Sequence, residues 1–125
     1  MATTTVAVDF DGTIHNQEDR EPGYRMGKPF PGAKWALDVL RTAGVRIVIH
    51  TLRARPSETV DGVRWDNSAQ HVKDWLDYFD IPYDEVTALK PIADAYVDDK
   101  AVPFTGDWVH TLAEVRGMLT AARER

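Results

Sequence analysis

Val6-Ala7-Val8-Asp9-Phe10-Asp11-Gly12-Thr13 stands almost at the start of the chain: a short apolar run that breaks into two carboxylates, a glycine and a threonine. An apolar run of that length, closed by turn-forming residues, reads as a buried strand that ends in a tight turn. The run Val45-Arg46-Ile47-Val48-Ile49-His50-Thr51 repeats the pattern, with a nearly continuous apolar stretch and a hydroxyl where it stops. Strands that are apolar on both faces belong to parallel sheets covered on both sides.

What lies between and beyond these runs fits that reading. Ile14 to Pro29 is polar, broken by Pro22-Gly23 and Gly27, and is expected as a loop or small hairpin. Pro31-Gly32 starts a helix with Ala33, Ala36, Leu37, Leu40 and Ala43 at helical spacing and Gly44 at its C-terminal cap. A polar loop is expected from Arg53 to Asp66. A second helix follows, capped by Asn67 or Ser68, with Ala69, Val72, Trp75, Leu76 and Phe79 on its buried side. Glu85-Val86-Thr87 and Ala95-Tyr96-Val97 supply a third and a fourth strand, the latter ending at Asp98-Asp99. Thr111-Leu-Ala-Glu114 has the form of a capping box opening a last helix, with Leu112, Val115, Leu119 and Ala122 as its apolar stripe.

Alternating strands and helices predict one α/β domain, residues 1–125, built on a mainly parallel sheet. Ligands of such sheets bind beyond the carboxyl ends of the strands. Asp9, Thr51 and Asp98 each stand at that end, and Lys90 lies just ahead of the last strand. Phosphoryl transfer needs these residue types. A phosphate monoester is dianionic, so an anionic nucleophile reaches phosphorus only once that charge is neutralised. Magnesium, an oxygen-seeking cation, fits a site made by Asp9 with Asp98 and Asp99. Lys90, Thr51 and the backbone amides of the Asp-Gly-Thr turn are expected to meet the phosphoryl oxygens, with Gly12 and Thr13 shaping that turn. Asp9 would then be the nucleophile. Asp11, held protonated by a neighbouring negative field or partial burial, would protonate the leaving oxygen and later take a proton from water.

Taken in order, the residues resemble the motifs of the haloacid dehalogenase superfamily. Val6 to Thr13 is similar to its first motif, Ile47 to Thr51 to its second, Lys90 to the lysine of its third and Tyr96-Val-Asp98-Asp99 to its acidic fourth. That resemblance implies a Rossmann-like three-layer α/β/α fold, a phosphatase, an aspartyl-phosphate on Asp9 and magnesium. It also implies Asp9, Asp98 and the backbone carbonyl of Asp11 as ligands, with Asp99 assisting. The short intervals between motifs imply a capless member. Its open site suits a phosphorylated small molecule or a phosphate-ended polymer, or receives a cap from a second copy.

The remaining residues bound the reading. Net charge is −5, so no basic footprint marks nucleic acid as more than a substrate. No cysteine is present, which removes thiolate and disulfide chemistry, and no apolar run is long enough for a membrane span. The cytoplasm is the expected location. Arg53 is read as a clamp for a second phosphate or sugar group, His15 as a substrate contact or a surface loop residue, and Arg20, Arg25 and Lys28 as solvated charges. His50, His71 and His110 are expected to be structural. Trp35, Trp65, Trp75 and Trp108 are expected in core or lid packing, with Trp65 available to stack on a substrate ring. Two other classes compete: a receiver-like phosphoacceptor module, whose acidic pair and lysine come in the opposite order, and an inactive fold that only binds.

Overall fold

The computed structural model describes residues 3–20, 26–105 and 107–124. The expected Pro22-Gly23 turn, Arg25 and the side chain of Ala122 lie outside the described residues. The elements follow the chain as β1 (Thr5–Asp9), β2 (His15–Asn16), β3 (Lys28–Pro29), α1 (Ala33–Thr42), β4 (Arg46–His50), β5 (Glu58–Val60), β6 (Val63–Trp65), α2 (Ala69–Tyr78), β7 (Glu85–Thr87), β8 (Ala95–Val97) and α3 (Trp108–Arg123). A single 3₁₀ turn, Leu52–Ala54, follows β4.

Four strands make an all-parallel sheet in the order β7-β4-β1-β8. β1 is central: the chain steps outward from it through β4 to β7, then returns to its other side with β8. This reversal is the topological switch point of a Rossmann-like sheet, and the crevice it opens lies past the carboxyl ends of β1 and β8. Strand alternation decides which residues make the core. Val6 and Val8 pair with Ile47 and Ile49 on one face, where they pack with Leu37 of α1 and Val72, Trp75 and Leu76 of α2. Ala7 and Val48 are buried toward the other face. No cap domain is inserted among the described residues; two small hairpins, β2–β3 and β5–β6, occupy the intervals instead.

Both early helices end in the same way. At α1 the amide of Gly44 reaches the carbonyl of Arg41 and that of Val45 reaches Leu40; at α2 Asp80 reaches Asp77 and Ile81 reaches Leu76. These are paired Schellman closures, which need a left-handed residue after the cap. Gly44 takes that conformation freely, at φ 82°, whereas Asp80 is forced into it at φ 56°. Asp80→Gly is therefore expected to raise stability by about 0.5 kcal/mol and Asp80→Ala to lower it by about 1 kcal/mol. Urea unfolding at constant m-value reads both, and shifts of the same sign would contradict the argument.

The last helix departs from expectation. It starts four residues early, capped at Asp107 instead of Thr111, with the Asp107 carboxylate accepting from the amide of Val109. Thr111 is thus inside the helix, its hydroxyl buried without a partner, and Glu114 pairs with His110 at 2.8 Å; no capping box forms. Asp107 is itself a strong N-cap residue and won the position. The expected apolar stripe is not a core face either, since Leu112 and Leu119 remain 47% and 50% exposed and Val115 is half-buried. Of the four tryptophans only Trp75 is buried, which corrects the expectation for Trp35 and Trp108.

The second polar interval also holds more order than a loop. Val60-Asp61-Gly62-Val63 is a hairpin turn with both central residues at positive φ, 50° and 76°. Asp-Gly between two valines is the sequence signal for such a turn. At the second helix Ser68 holds the cap position, but its hydroxyl turns back to the carbonyl of Arg53 and caps no helix amide, while the side chain of Asn67 accepts from the amide of Ala69.

Candidate active site

Parallel register brings the acids together. Asp9 pairs with His50, so Thr51 emerges one residue further on, and Val8 pairs with Val97, so Asp98 leaves β8 level with Asp9. Carboxylate oxygens of Asp9, Asp98 and Asp99 all lie within 4.8 Å of one another. Asp99 also leans over the Asp-Gly-Thr turn, where a side-chain carbon on Gly12 would overlap its carboxylate. Gly12, at φ +82°, meets two demands at once: the left-handed turn and this close approach. Burial and the charges of Asp98, Asp99 and Asp11 push the Asp9 carboxyl up to about 6, against the pull of the Phe10 amide.

Asp11 lies in the opposite environment. Arg53 grips both its oxygens, Nε to Oδ2 at 2.8 Å and Nη2 to Oδ1 at 3.0 Å, and His15 Nδ1 meets Oδ1 at 2.7 Å. Burial works against the charged carboxylate, but the bonds from His15 and Arg53 outweigh it and hold Asp11 at about 2. The expectation that Asp11 stays protonated is thus reversed: its charge is compensated by an arginine that arrives from 42 residues away.

His15 is neither a substrate contact nor a surface residue. It is fully buried, stacked on Phe10 at 5.0 Å and set edge-on to Trp75 at 5.3 Å. Its Nε2 accepts from the amide of Gly27 at 2.8 Å, so Nδ1 is the nitrogen that carries hydrogen toward Asp11. The Gly27 carbonyl accepts from Trp75 Nε1 at 2.9 Å. A methyl group on Gly27 would run into the carbonyl oxygens of Asn16 and Asp19. Gly27→Ala is expected to cost about 3 kcal/mol and to loosen His15 from Asp11. A loss under about 0.5 kcal/mol in thermal unfolding would show that the β2–β3 segment gives way without strain.

The other expected residues fall as follows. Thr51 is buried; its Oγ1 accepts from the amide of Arg53 at 3.2 Å, which leaves its own hydrogen for a ligand. The hydroxyl of Thr13 lies 3.5 Å from Asp9 Oδ2, a long contact. Two of the turn amides expected to meet phosphate are engaged instead: Gly12 donates to the His15 carbonyl and Thr13 to that of Phe10. Lys90 is exposed and rests over the Tyr96 ring at 4.9 Å, with no ion pair to the acids among the described residues. Trp65 is half-covered by the Arg55 guanidinium, 4.5 Å above its ring. His50 holds the Ala88 carbonyl at 3.2 Å, while His71 and His110 are at the surface.

Fold and site together define a small, capless, Rossmann-like α/β protein with an acidic cluster at the carboxyl edge of its sheet. No known protein family matches the chain, and no curated protein matches it. Among solved structures it is similar to a conserved protein coded by a locus from Bacteroides thetaiotaomicron. The two share 20% identity over 94% of this chain and 93% of that one, with a TM-score of 0.55, a likeness of fold. No helix among the described residues is long and apolar enough to cross a membrane.

Proposed function

We propose that this protein is a magnesium-dependent phosphatase of the haloacid dehalogenase type, which hydrolyses a phosphate monoester through an aspartyl-phosphate on Asp9. The observation that carries the reading is the convergence of Asp9, Asp98 and Asp99, from two strand ends, beside the paired carboxylate of Asp11. The donor set fits magnesium. It is all oxygen, it gathers like charges at the cost of raising Asp9 to about 6, and it closes over a turn that only glycine allows. Asp9, Asp98 and Asp99 would hold the ion, with the backbone carbonyl of Asp11. When bound it supplies positive charge that keeps Asp9 ionised and neutralises the phosphoryl oxygens.

The residues then divide the work. An Asp9 carboxylate oxygen attacks phosphorus in line; the bond from phosphorus to the ester oxygen breaks, and the alcohol leaves with a proton. The Thr51 hydroxyl donates to a phosphoryl oxygen. Lys90, swung off the Tyr96 ring, brings the compensating charge. In the second half water attacks phosphorus, Asp11 accepts its proton, and the bond from phosphorus to Asp9 breaks to release inorganic phosphate. Asp11 as held by Arg53 and His15 is ionised, as that second, base role needs, but one oxygen must be released before it can accept a proton from water. Its acid role in the first half requires the released oxygen also to take up a proton from solvent, which it then hands to the departing alcohol oxygen. Phosphate release from an aryl phosphate, dependent on magnesium and abolished by a chelator, is the expected result. No release from aryl or alkyl phosphates with magnesium present would end the proposal.

A further inference from the structure

Resting on the phosphatase reading, we propose that Arg53 selects an alcohol carrying a second anionic group, carboxylate or phosphate, close to the ester oxygen. That group takes the guanidinium over from Asp11.

Arg53 is built into the site rather than hung from a loop. Its amide is tied to the Thr51 hydroxyl, and its carbonyl accepts from both the amide and the hydroxyl of Ser68, at 2.7 and 3.0 Å. Its head lies over the Phe10 ring, 6.0 Å from the centroid. With both backbone groups fixed, the guanidinium can move only over the arc that its side-chain torsions allow, around Asp11.

The position of Asp11 says which part of a substrate this arc meets. In-line displacement places the ester oxygen on the far side of phosphorus from Asp9. A carboxylate that exchanges a proton with that oxygen must lie beside it, and Arg53 grips that same carboxylate. Arg53 therefore borders the departing alcohol, not the phosphoryl group. It is also a cation already seated in the site, whereas among the described residues Lys90 rests on Tyr96 and Arg55 is engaged by Glu58 and Trp65.

The hydrogen-bond pattern shows why exchange is needed. Oδ1 of Asp11 is shared by His15 and Arg53, and Oδ2 is held by Arg53, so neither oxygen is free for the ester. Departure of Arg53 would release Oδ2 while His15 still held Oδ1 in place. A neutral alcohol offers the guanidinium nothing in return for a bidentate charged pair. A carboxylate or phosphate offers an equivalent one. Nη1 takes no part in the Asp11 pair and the side chain is 31% exposed, so an incoming anion can be met before Asp11 is let go.

The test compares kcat/KM for phosphoglycerate, glycerol phosphate and propanediol bisphosphate with magnesium, in wild type, Arg53→Lys and Arg53→Ala. These esters offer beside the reacting phosphate a carboxylate, a neutral hydroxymethyl group and a second phosphate, so the outer pair tells the two anion sources apart. Wild type is expected to favour at least one anionic ester over glycerol phosphate by about 100-fold. Arg53→Ala should bring that ratio near one, and Arg53→Lys, a point charge without the fork, should restore part of it. A wild-type ratio near one, or a ratio unchanged in Arg53→Ala, would overturn the proposal; a purely structural arginine would slow all three esters alike. The phosphatase reading is judged separately on aryl phosphate, which carries no second anion. If no ester turns over, that reading falls. Dissociation constants for the same three esters then decide Arg53: equal binding overturns the anion site, and an anionic preference lost in Arg53→Ala supports it.

Discussion

Asp9→Asn is expected to lower magnesium-dependent phosphate release by about 10⁴-fold or more while leaving the chain folded. An amide is too weak a nucleophile to open the phosphate ester, and no neighbouring carboxylate is placed to substitute. Asp98 and Asp99 would be taken up by the proposed ion, and Asp11 has both oxygens engaged. The substitution also removes a charge from a crowded cluster, so the metal-free variant at neutral pH should unfold no earlier than wild type. That separation matters, because loss of activity with loss of fold would say nothing about chemistry. A folded variant that turned over phosphate esters at the wild-type rate would remove Asp9 from the mechanism.

The second large effect is on stability, and it runs against pH in a definite direction. A carboxyl raised to about 6 on folding takes up protons as the chain folds, so its ionised form weighs against the folded state. That cost is absent below about pH 4 and complete above about pH 6. Asp11, held at about 2, works the other way; its contribution is complete above about pH 4 and is lost only as pH falls toward 2. Between pH 4 and pH 7, Asp9 is therefore the one of the two that changes. The full cost is about 3 kcal/mol, reduced to about 2 kcal/mol by solvent at a half-buried group. Metal-free protein should lose about that much between those limits. Asp98→Asn removes the strongest of the neighbouring charges and should lose less, with burial and the weaker fields of Asp99 and Asp11 remaining. Magnesium at ten times its dissociation constant should return about 1.4 kcal/mol to wild type at pH 7 and little to the variant. Melting curves with and without the ion would show it, and a magnesium shift equal in wild type and Asp98→Asn would contradict an ion held by this cluster.

Within the fold, legibility followed the range of the interactions. The apolar runs of β1 and β4 and the helical spacing of α1 and α2 are local patterns, and each element falls where its pattern predicts. The Asp61-Gly62 turn is equally local, its signal in four consecutive residues, but it lies inside a polar stretch whose composition is that of a loop. α3 starts ahead of its expected position because two N-cap signals compete, Asp107 and Thr111, and the aspartate, the stronger cap, takes the position.

The acids were legible for the same reason the strands were. In a parallel sheet a strand end is an edge position, so Asp9, Thr51 and Asp98 could be placed at one edge from sequence order alone. Their states could not. Whether a carboxyl is charged depends on what stands within a few ångströms of it, and those groups come from remote parts of the chain. Asp9 is raised by burial and then by acids that lie beyond β8; Asp11 is lowered, against its burial, by a histidine whose other nitrogen is bound at Gly27 and by an arginine after β4. The sequence by itself determined which chemical groups reach the edge of the sheet. Only the tertiary structure decided which of them is paired, because electrostatic and hydrogen-bond energies fall off over distances shorter than any spacing along the chain can specify.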